Sequence, residues 1–293
     1  MRHRYECPMR WADMDLLGHV NNVVYADYLQ EARVDMLRVH ARGPATGALA
    51  EALIVVSNRL VYVEPLVFDG GPVSIECWVT EVRAATATLA YEVFRETPAG
   101  ERTVYLTAST VLTPYVFADE RPRRFAAEER AALAAYLEEP LAALSRPTEY
   151  GAPRHDELGH YPLRVRFSDV DVYGHVNNVK YFEFFQEARV SLMARQVEAA
   201  GLERYPSVVV AQQDIDYRRP ILFRAEPYEC HTWIGHVGNR SMVLEAEIRD
   251  TAAEPGTGEL LARGRFVMVF FDPATGRSAA PPEELRQALL ALA

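Results

Sequence analysis

The 293-residue chain is 49% hydrophobic and 25% charged, a balance that fits one or two folded domains and excludes a disordered polymer. Its 41 acidic and 31 basic side chains leave a formal charge of −10, so it lacks the cationic excess from which a general nucleic-acid binder draws affinity. Cys7, Cys77 and Cys230 show no ligand spacing, which argues against a metal cluster or disulfide framework and suits a reducing cytoplasm. Residues 1–25 contain no apolar signal core, and no run reaches the ~18 to 20 apolar residues of a membrane span.

A short strand-like segment opens the chain, His3 to Trp11, and leads into Trp11-Ala12-Asp13-Met14-Asp15-Leu16-Leu17-Gly18-His19-Val20-Asn21-Asn22. A helical run is predicted from Val20 to Arg42, stopped by Gly43-Pro44. Its apolar positions, among them Tyr25, Tyr28, Leu29, Ala32 and Met36, cover more than one stripe, so the helix is expected to be buried on several sides. Four β-rich segments follow, Ile54–Val63, Val73–Val82, Thr86–Arg95 and Thr103–Val116, separated by turn residues such as Asp69-Gly70-Gly71 and Pro98-Ala99-Gly100. The short connections predict an antiparallel sheet. Ala126 to Leu144 reads as a surface helix with a kink at Pro140, and the Pro-, Gly- and charge-rich stretch to His160 reads as a linker.

The pattern then repeats. Asp15, His19, Asn22, Tyr25, Glu31 and Arg33 recur 156 positions later as Asp171, His175, Asn178, Tyr181, Glu187 and Arg189. Tyr62, Pro65 and Trp78 recur 155 positions later as Tyr217, Pro220 and Trp233, so one residue is lost between helix and sheet and the repeat spans whole domains. The second copy has a strand-like Tyr161–Phe167, a helical run Val176–Ala200 stopped by Gly201, and β segments Val208–Tyr217, Tyr228–Val237, Ser241–Arg249 and Leu260–Phe271. The last three meet at Gly238-Asn239 and Pro255-Gly256-Thr257-Gly258. An apolar helix face, Glu283–Leu292, closes the chain. The organisation is therefore a first domain over 1–125, a helix and linker over 126–160, and a second domain over 161–293.

One long helix followed by an antiparallel sheet that curls around it, twice over, is an α+β arrangement in which each layer buries the other. At this point the chain resembles the hotdog fold. The Asp-x-x-Gly-His-Val-Asn-Asn motif before each helix is similar to the 4-hydroxybenzoyl-CoA thioesterase-like branch, and its duplication resembles the double hotdog of the acyl-ACP thioesterases. The resemblance implies thioester hydrolysis, with the second Asp of each Asp-x-Asp, Asp15 or Asp171, as nucleophile or general base. It passes over Asp13 and Asp169.

The chemistry of those residues fits. A thioester needs an attacking oxygen and a donor for the developing oxyanion, and a carboxylate beside the open amides of a helix N-terminus offers both. Gly18 and Gly174 would let the backbone approach the substrate without a Cβ. His19 and His175 are expected to position the acid or polarise the thioester, and Asn22 and Asn178, or their neighbours Asn21 and Asn177, to cap the helix or hold the Asp. Glu31 and Glu187 fit either the site or an interhelical polar contact. Taken singly, an Asp-Gly-Asn turn before a helix is ordinary capping chemistry; its repetition with the histidine carries the catalytic reading. Arg83, Arg123-Arg124, Arg218-Arg219 and Arg240 are either solvated faces or contacts for the phosphates of coenzyme A.

The expected activity is cleavage of acyl-CoA to free acid and CoA, with acyl-CoA as substrate, no metal, and no cofactor apart from the CoA carried by the substrate. Acyl carrier protein is an alternative carrier. Acyl-ACP thioesterases commonly have an Asn two residues after the catalytic Asp, where this chain has Leu17 and Tyr173, which favours CoA. A hotdog enoyl-CoA hydratase or dehydratase is a second alternative, although that class usually spaces its Asp and His five apart with an intervening Pro. A non-catalytic acyl-CoA-binding protein is the third. No nucleic-acid or membrane partner is expected, and the double-hotdog chains are free to assemble further as homo-oligomers.

Overall fold

The computed structural model describes residues 1–40, 53–144, 148–171, 173–199, 201, 203, 205–252 and 258–293. The expected helix stop at Gly43-Pro44 and most of the expected turn at Pro255-Gly256-Thr257 lie outside them. Two compact units divide the chain, Met1–Pro147 and Thr148–Ala293.

The first unit contains β1 (His3–Cys7), α1 (Val24–His40), β2 (Leu53–Tyr62), β3 (Val73–Val82), β4 (Ala87–Glu96), β5 (Arg102–Val116), the short β6 (Arg121–Pro122) and α2 (Ala127–Ala134). Its antiparallel strands run in the order β1-β3-β4-β5-β2, with β6 on β5. The second contains β7 (His160–Leu163), α3 (Lys180–Ala199), β8 (Val208–Tyr217), β9 (Tyr228–Val237), β10 (Ser241–Asp250), β11 (Glu259–Asp272), β12 (Arg277–Ser278) and α4 (Glu283–Leu292). Its order is the same, β7-β9-β10-β11-β8, with β12 on β11. Each unit is a long helix against a five-stranded antiparallel sheet, and the chain is an α+β double hotdog.

Side-chain alternation explains how each sheet takes two covers. Cys77 of β3 and Tyr91 of β4 face α1, where the buried Arg33 reaches the Tyr91 hydroxyl at 3.5 Å. The adjacent Glu76 and Trp78 point the other way. On the helix side α1 buries Tyr25, Leu29, Ala32 and Met36, and α3 buries Tyr181, Phe182, Phe185, Ala188 and Leu192. Large side chains fully withdrawn from water contribute ~1.5 to 3 kcal/mol each, so the breadth of the apolar surface read from the sequence is what pins these helices.

Three expected helices come out shorter. The central helices start at Val24 and Lys180, four residues after the expected Val20 and Val176. The amides of Val20 and Val176 are taken by the carbonyls of Leu66 and Ile221, each at 2.8 Å, so these residues serve a loop clamp instead of a first helical turn. The surface helix expected over Ala126–Leu144 ends at Ala134. Beyond it the chain pairs with the end of β3, the Val79 amide donating to Tyr136 O at 3.0 Å and the Glu138 amide to Val79 O at 2.8 Å. Trp78 Nε1 donates to Glu139 O at 3.1 Å. Sheet-edge hydrogen bonds outcompete helix propensity there, and Pro140 could not have continued the ladder of helical amides.

Candidate active site

Each unit folds its Asp-x-Asp motif in the same way. Residues 11–13 and 167–169 form a single 3-10 turn, closed by the first aspartate. Asp13 Oδ2 accepts the Arg10 amide at 2.7 Å, and Asp169 Oδ2 accepts the Arg166 amide at 2.7 Å. Tyr28 adds its hydroxyl to Asp13 Oδ2 at 2.5 Å. These carboxylates are turn-holders, which accords with leaving them out of the chemistry.

The second aspartate opens a five-residue loop. Met14 pairs with Val20 and Val170 with Val176; between them the Asp15 amide donates to His19 O at 2.8 Å and the Gly18 amide to Asp15 O at 3.1 Å. Asp171, His175 and Gly174 repeat these bonds at 2.8 and 3.1 Å. Asp15 Oδ1 accepts the amides of Leu17 at 2.8 Å and His19 at 3.2 Å. Asp171 Oδ1 accepts those of Tyr173 at 2.9 Å and His175 at 3.3 Å. One carboxylate oxygen is thus fixed by two backbone donors. Oδ2 has no hydrogen bond among the described residues, and both aspartates are half-buried. Such a carboxylate is oriented yet has an oxygen left for a proton or a carbonyl carbon.

The geometry revises several expectations. Asp15 and Asp171 sit in loops nine residues ahead of their helices, not on the first helical turn. His19 and His175 orient the acids through their backbone amides, with rings that are half-buried. Gly18 and Gly174 have φ of 78° and 79°, and a Cβ built on either would meet nothing within 4 Å. The left-handed backbone of the loop itself calls for glycine at these positions. Asn21 and Asn177 do the capping: their Oδ1 atoms accept the Val23 and Val179 amides at 3.4 and 3.3 Å. Asn22 and Asn178 instead present their carbonyls to the Tyr62 and Tyr217 hydroxyls at 2.7 and 2.9 Å, and Asn178 Nδ2 donates to Asn177 Oδ1 at 3.1 Å. Glu31 and Glu187 lie exposed on their helices.

A clamp absent from the sequence reading completes each loop. Besides holding the Val20 and Val176 amides, the segment after β2 or β8 is fixed from the helix: the Ile221 amide donates to the Tyr181 hydroxyl at 3.1 Å, and Tyr25 bonds the Leu66 backbone in the same way. Burial raises both tyrosine pKa values, so the hydroxyls stay protonated. Tyr25 and Tyr181 meet Tyr62 and Tyr217 edge to face at 5.5 and 4.9 Å. The 155-position recurrence of Tyr62 and Pro65 was the trace of this clamp.

The arginines considered for CoA phosphates are largely engaged locally: Arg83 with Glu81 at 2.9 Å, Arg123 with Glu129 at 2.6 Å, Arg218 with Asp216 at 3.6 Å and Arg219 with Glu259 at 2.9 Å. The cysteines are buried and free of disulfides, and burial pushes each thiol up to about 12, where it is no nucleophile. Among the described residues no group of three or more His, Cys, Asp or Glu is placed to hold a metal, and no helix is long and apolar enough to cross a membrane.

A helix over an antiparallel sheet with a half-engaged aspartate in the loop before the helix defines a hotdog thioesterase class of protein. The chain belongs to the thioesterase-like superfamily, whose family model matches it twice, over residues 9–134 and 165–289. Single-repeat relatives match one half of it. The uncharacterized protein YsmA of Bacillus subtilis is 31% identical over 131 residues, 44% of this chain and 82% of that protein. The long-chain acyl-CoA thioesterase FadM of Escherichia coli is 29% identical over 128 residues, 43% and 93% of the two chains. Solved double hotdogs match the fold end to end. A putative oleoyl thioesterase from Lactobacillus plantarum gives a TM-score of 0.70 at 13% identity, covering 93% of this chain and 97% of that one. The 12:0-ACP thioesterase of Umbellularia californica gives 0.68 at 17%, covering 92% and 94%.

Proposed function

We propose that the protein hydrolyses acyl-CoA thioesters to free acid and CoA, with Asp15 and Asp171 as the catalytic carboxylates. The observation that carries this reading is the twice-built loop in which Oδ1 is held by two amides and Oδ2 is left open. As general base, Oδ2 takes a proton from water while the water oxygen bonds the thioester carbon; the C–S bond then breaks and the proton passes to the departing thiolate. As nucleophile, Oδ2 itself bonds the carbon as the C–S bond breaks and CoA leaves as thiolate; water then cleaves the resulting anhydride, restoring the aspartate and supplying the proton taken up by the thiolate. His19 and His175 position the acid in either route. The reaction is proposed to need no metal or separate cofactor. The similarity to FadM over one repeat supports CoA as the carrier, as do Leu17 and Tyr173 beside the acids.

Purified protein assayed on short, long and aromatic acyl-CoA thioesters, and on the same acyl groups attached to acyl carrier protein, tests the proposal. Turnover is expected on CoA substrates. Absence of hydrolysis across the panel would sink it, and turnover confined to the carrier protein would reassign the carrier. A single turnover in isotopically heavy water separates the two routes, since label in the aspartate carboxylate marks it as nucleophile.

A further inference from the structure

We propose that the exposed aromatic pairs beside the two Asp loops receive the apolar acyl group of the thioester, an inference that rests on the thioesterase reading above. In the first unit Trp11 is 79% exposed and meets Phe68 edge to face, with ring centroids 6.2 Å apart. Leu16 and Leu17, the two residues after Asp15, are exposed alongside. In the second unit Phe167 is likewise 79% exposed and meets Phe223 at 6.1 Å, with Tyr173 and Leu222 exposed beside them. Eight of the fifteen large apolar side chains exposed on the described surface belong to these Asp loops, 3-10 turns and clamp segments. Scattered surface leucines need no explanation, but a concentration of this kind marks a binding surface.

The fold does not require these side chains. Leu66 and Ile221, their neighbours on the clamp segments, are fully buried and carry the clamp bonds, whereas Trp11, Leu16 and Phe167 stand in water. The apolar surface starts at Leu16, next to Asp15, in the first unit and at Tyr173, two residues beyond Asp171, in the second, which puts it beside a thioester poised at either aspartate. The two units keep apolarity there and not shape: Trp11 corresponds to Phe167 in the repeat, Leu17 to Tyr173, and Val67 to Leu222. A flexible hydrocarbon asks only for apolar area, up to about fourfold in affinity for each methylene covered. A second copy of the chain would need matched contours.

Trp11 makes the test direct. Of the three tryptophans, Trp78 and Trp233 are buried, so quenching by acrylamide reports on Trp11. Hydrolysis-resistant alkyl thioethers of CoA are titrated into the intact protein. The dodecyl thioether is expected to shift Trp11 emission to the blue and to shield it from acrylamide at much lower concentration than the butyl thioether or free CoA. In the Asp171→Asn background, Trp11→Ala with Phe68→Ala is expected to lower the ratio of long-chain to short-chain kcat/KM about tenfold. An equal response to free CoA, shielding that rises with protein concentration alone, shielding by phosphatidylcholine vesicles without the thioether, or an unchanged ratio would each overturn the proposal. Shielding without hydrolysis of any thioester would instead remove the catalytic reading and leave the apolar site standing.

Discussion

On the sheet face turned away from the central helix, the first unit is laced with arginine and the second with histidine and buried glutamate. In the first, Glu76 takes Arg2 at 3.0 Å and Arg102 at 2.9 Å, and Arg102 also pairs Glu92 at 2.9 Å. The guanidinium groups lie over Trp78 and Phe94, 3.8 and 3.7 Å from the ring centroids. In the second, the position of Glu76 is His231, whose ring lies tilted between those of His155 at 4.6 Å and His160 at 5.2 Å. His155 pairs Glu247 at 3.2 Å and His160 pairs Glu229. Glu247 and Glu245 are buried, facing Arg249 and Arg263. The segment before β7 supplies this cover: the Gly151 amide donates to Glu245 at 2.8 Å, Thr148 donates to Asp214 at 2.9 Å, and Arg263 lies over the Tyr150 ring. The same sheet is thus closed once by half-exposed groups charged at every ordinary pH and once by groups that titrate or are sealed from water. Duplicated frames tolerate this because the outer face only has to be covered, whereas the loop bearing the aspartate has to keep its hydrogen bonds.

That contrast predicts equal catalysis and unequal stability. The largest effect concerns the part the units share. Asp15→Asn and Asp171→Asn are each expected to remove one site and leave roughly half the turnover, and the double variant to lose about 10³-fold in kcat/KM; steady-state assays on one acyl-CoA check it. Full activity in all three would overturn the mechanism, and a single variant already at the double-variant level would show that only one unit works.

The sealed glutamate gives the next effect. Glu247→Ala should cost the second unit about 3 kcal/mol, because it removes a buried carboxylate and leaves the half-buried Arg249, and His155, without their partner. Glu76→Ala in the first unit, where water reaches the arginines, should cost only about 1 kcal/mol. Urea unfolding of the two variants side by side measures the gap, and equal costs would erase the distinction drawn between the faces.

Acid separates the units further. Burial, with His155 and His160 alongside, pushes the His231 imidazole down to about 4. Between that value and the ~6.5 of an unfolded histidine, the unfolded chain binds the extra proton. His231 therefore costs nothing above about pH 6.5, and stability falls progressively as pH drops toward 4, by roughly 1 to 2 kcal/mol once screening at a half-buried ring is allowed for. Glu76 behaves oppositely. Burial opposes its ionisation, but Arg102 and Arg2 hold it below the ordinary glutamate value of 4.5, so its contribution is present above that value and is lost only as pH falls further. Unfolding at pH 7 and pH 5 should show an acid loss that His231→Gln removes and Glu76→Gln does not.

The smallest effect tests a difference within the shared loop. Tyr28 bonds Asp13, whereas the corresponding Phe184 offers Asp169 nothing. Tyr28→Phe should cost about 1 kcal/mol and leave kcat within about twofold, converting the first turn into the second; a larger kinetic loss would give Asp13 a role beyond holding the turn.

By itself the sequence determined the duplication, the order of helix and strands, and the loop residues on which the proposed site rests. β3, β8, β9 and α4 fall at the boundaries their periodicity implies, since alternation and apolar breadth are local properties of a chain. The loop of Asp15 and Asp171 was legible as a repeated motif because Asp-x-x-Gly-His is self-contained, its hydrogen bonds joining neighbours; the role proposed for the acids came from the family resemblance. Only the tertiary structure decided what lies across the chain. It held Val20 and Val176 to Leu66 and Ile221, more than forty residues away, and so delayed both helices. It set Trp11 against Phe68 and Phe167 against Phe223, and it laid the segment from Thr148 over the outer face of the second sheet. Those pairings form because buried amides must find acceptors and both faces of a sheet must find covers, and no window of sequence shows which distant residue supplies them.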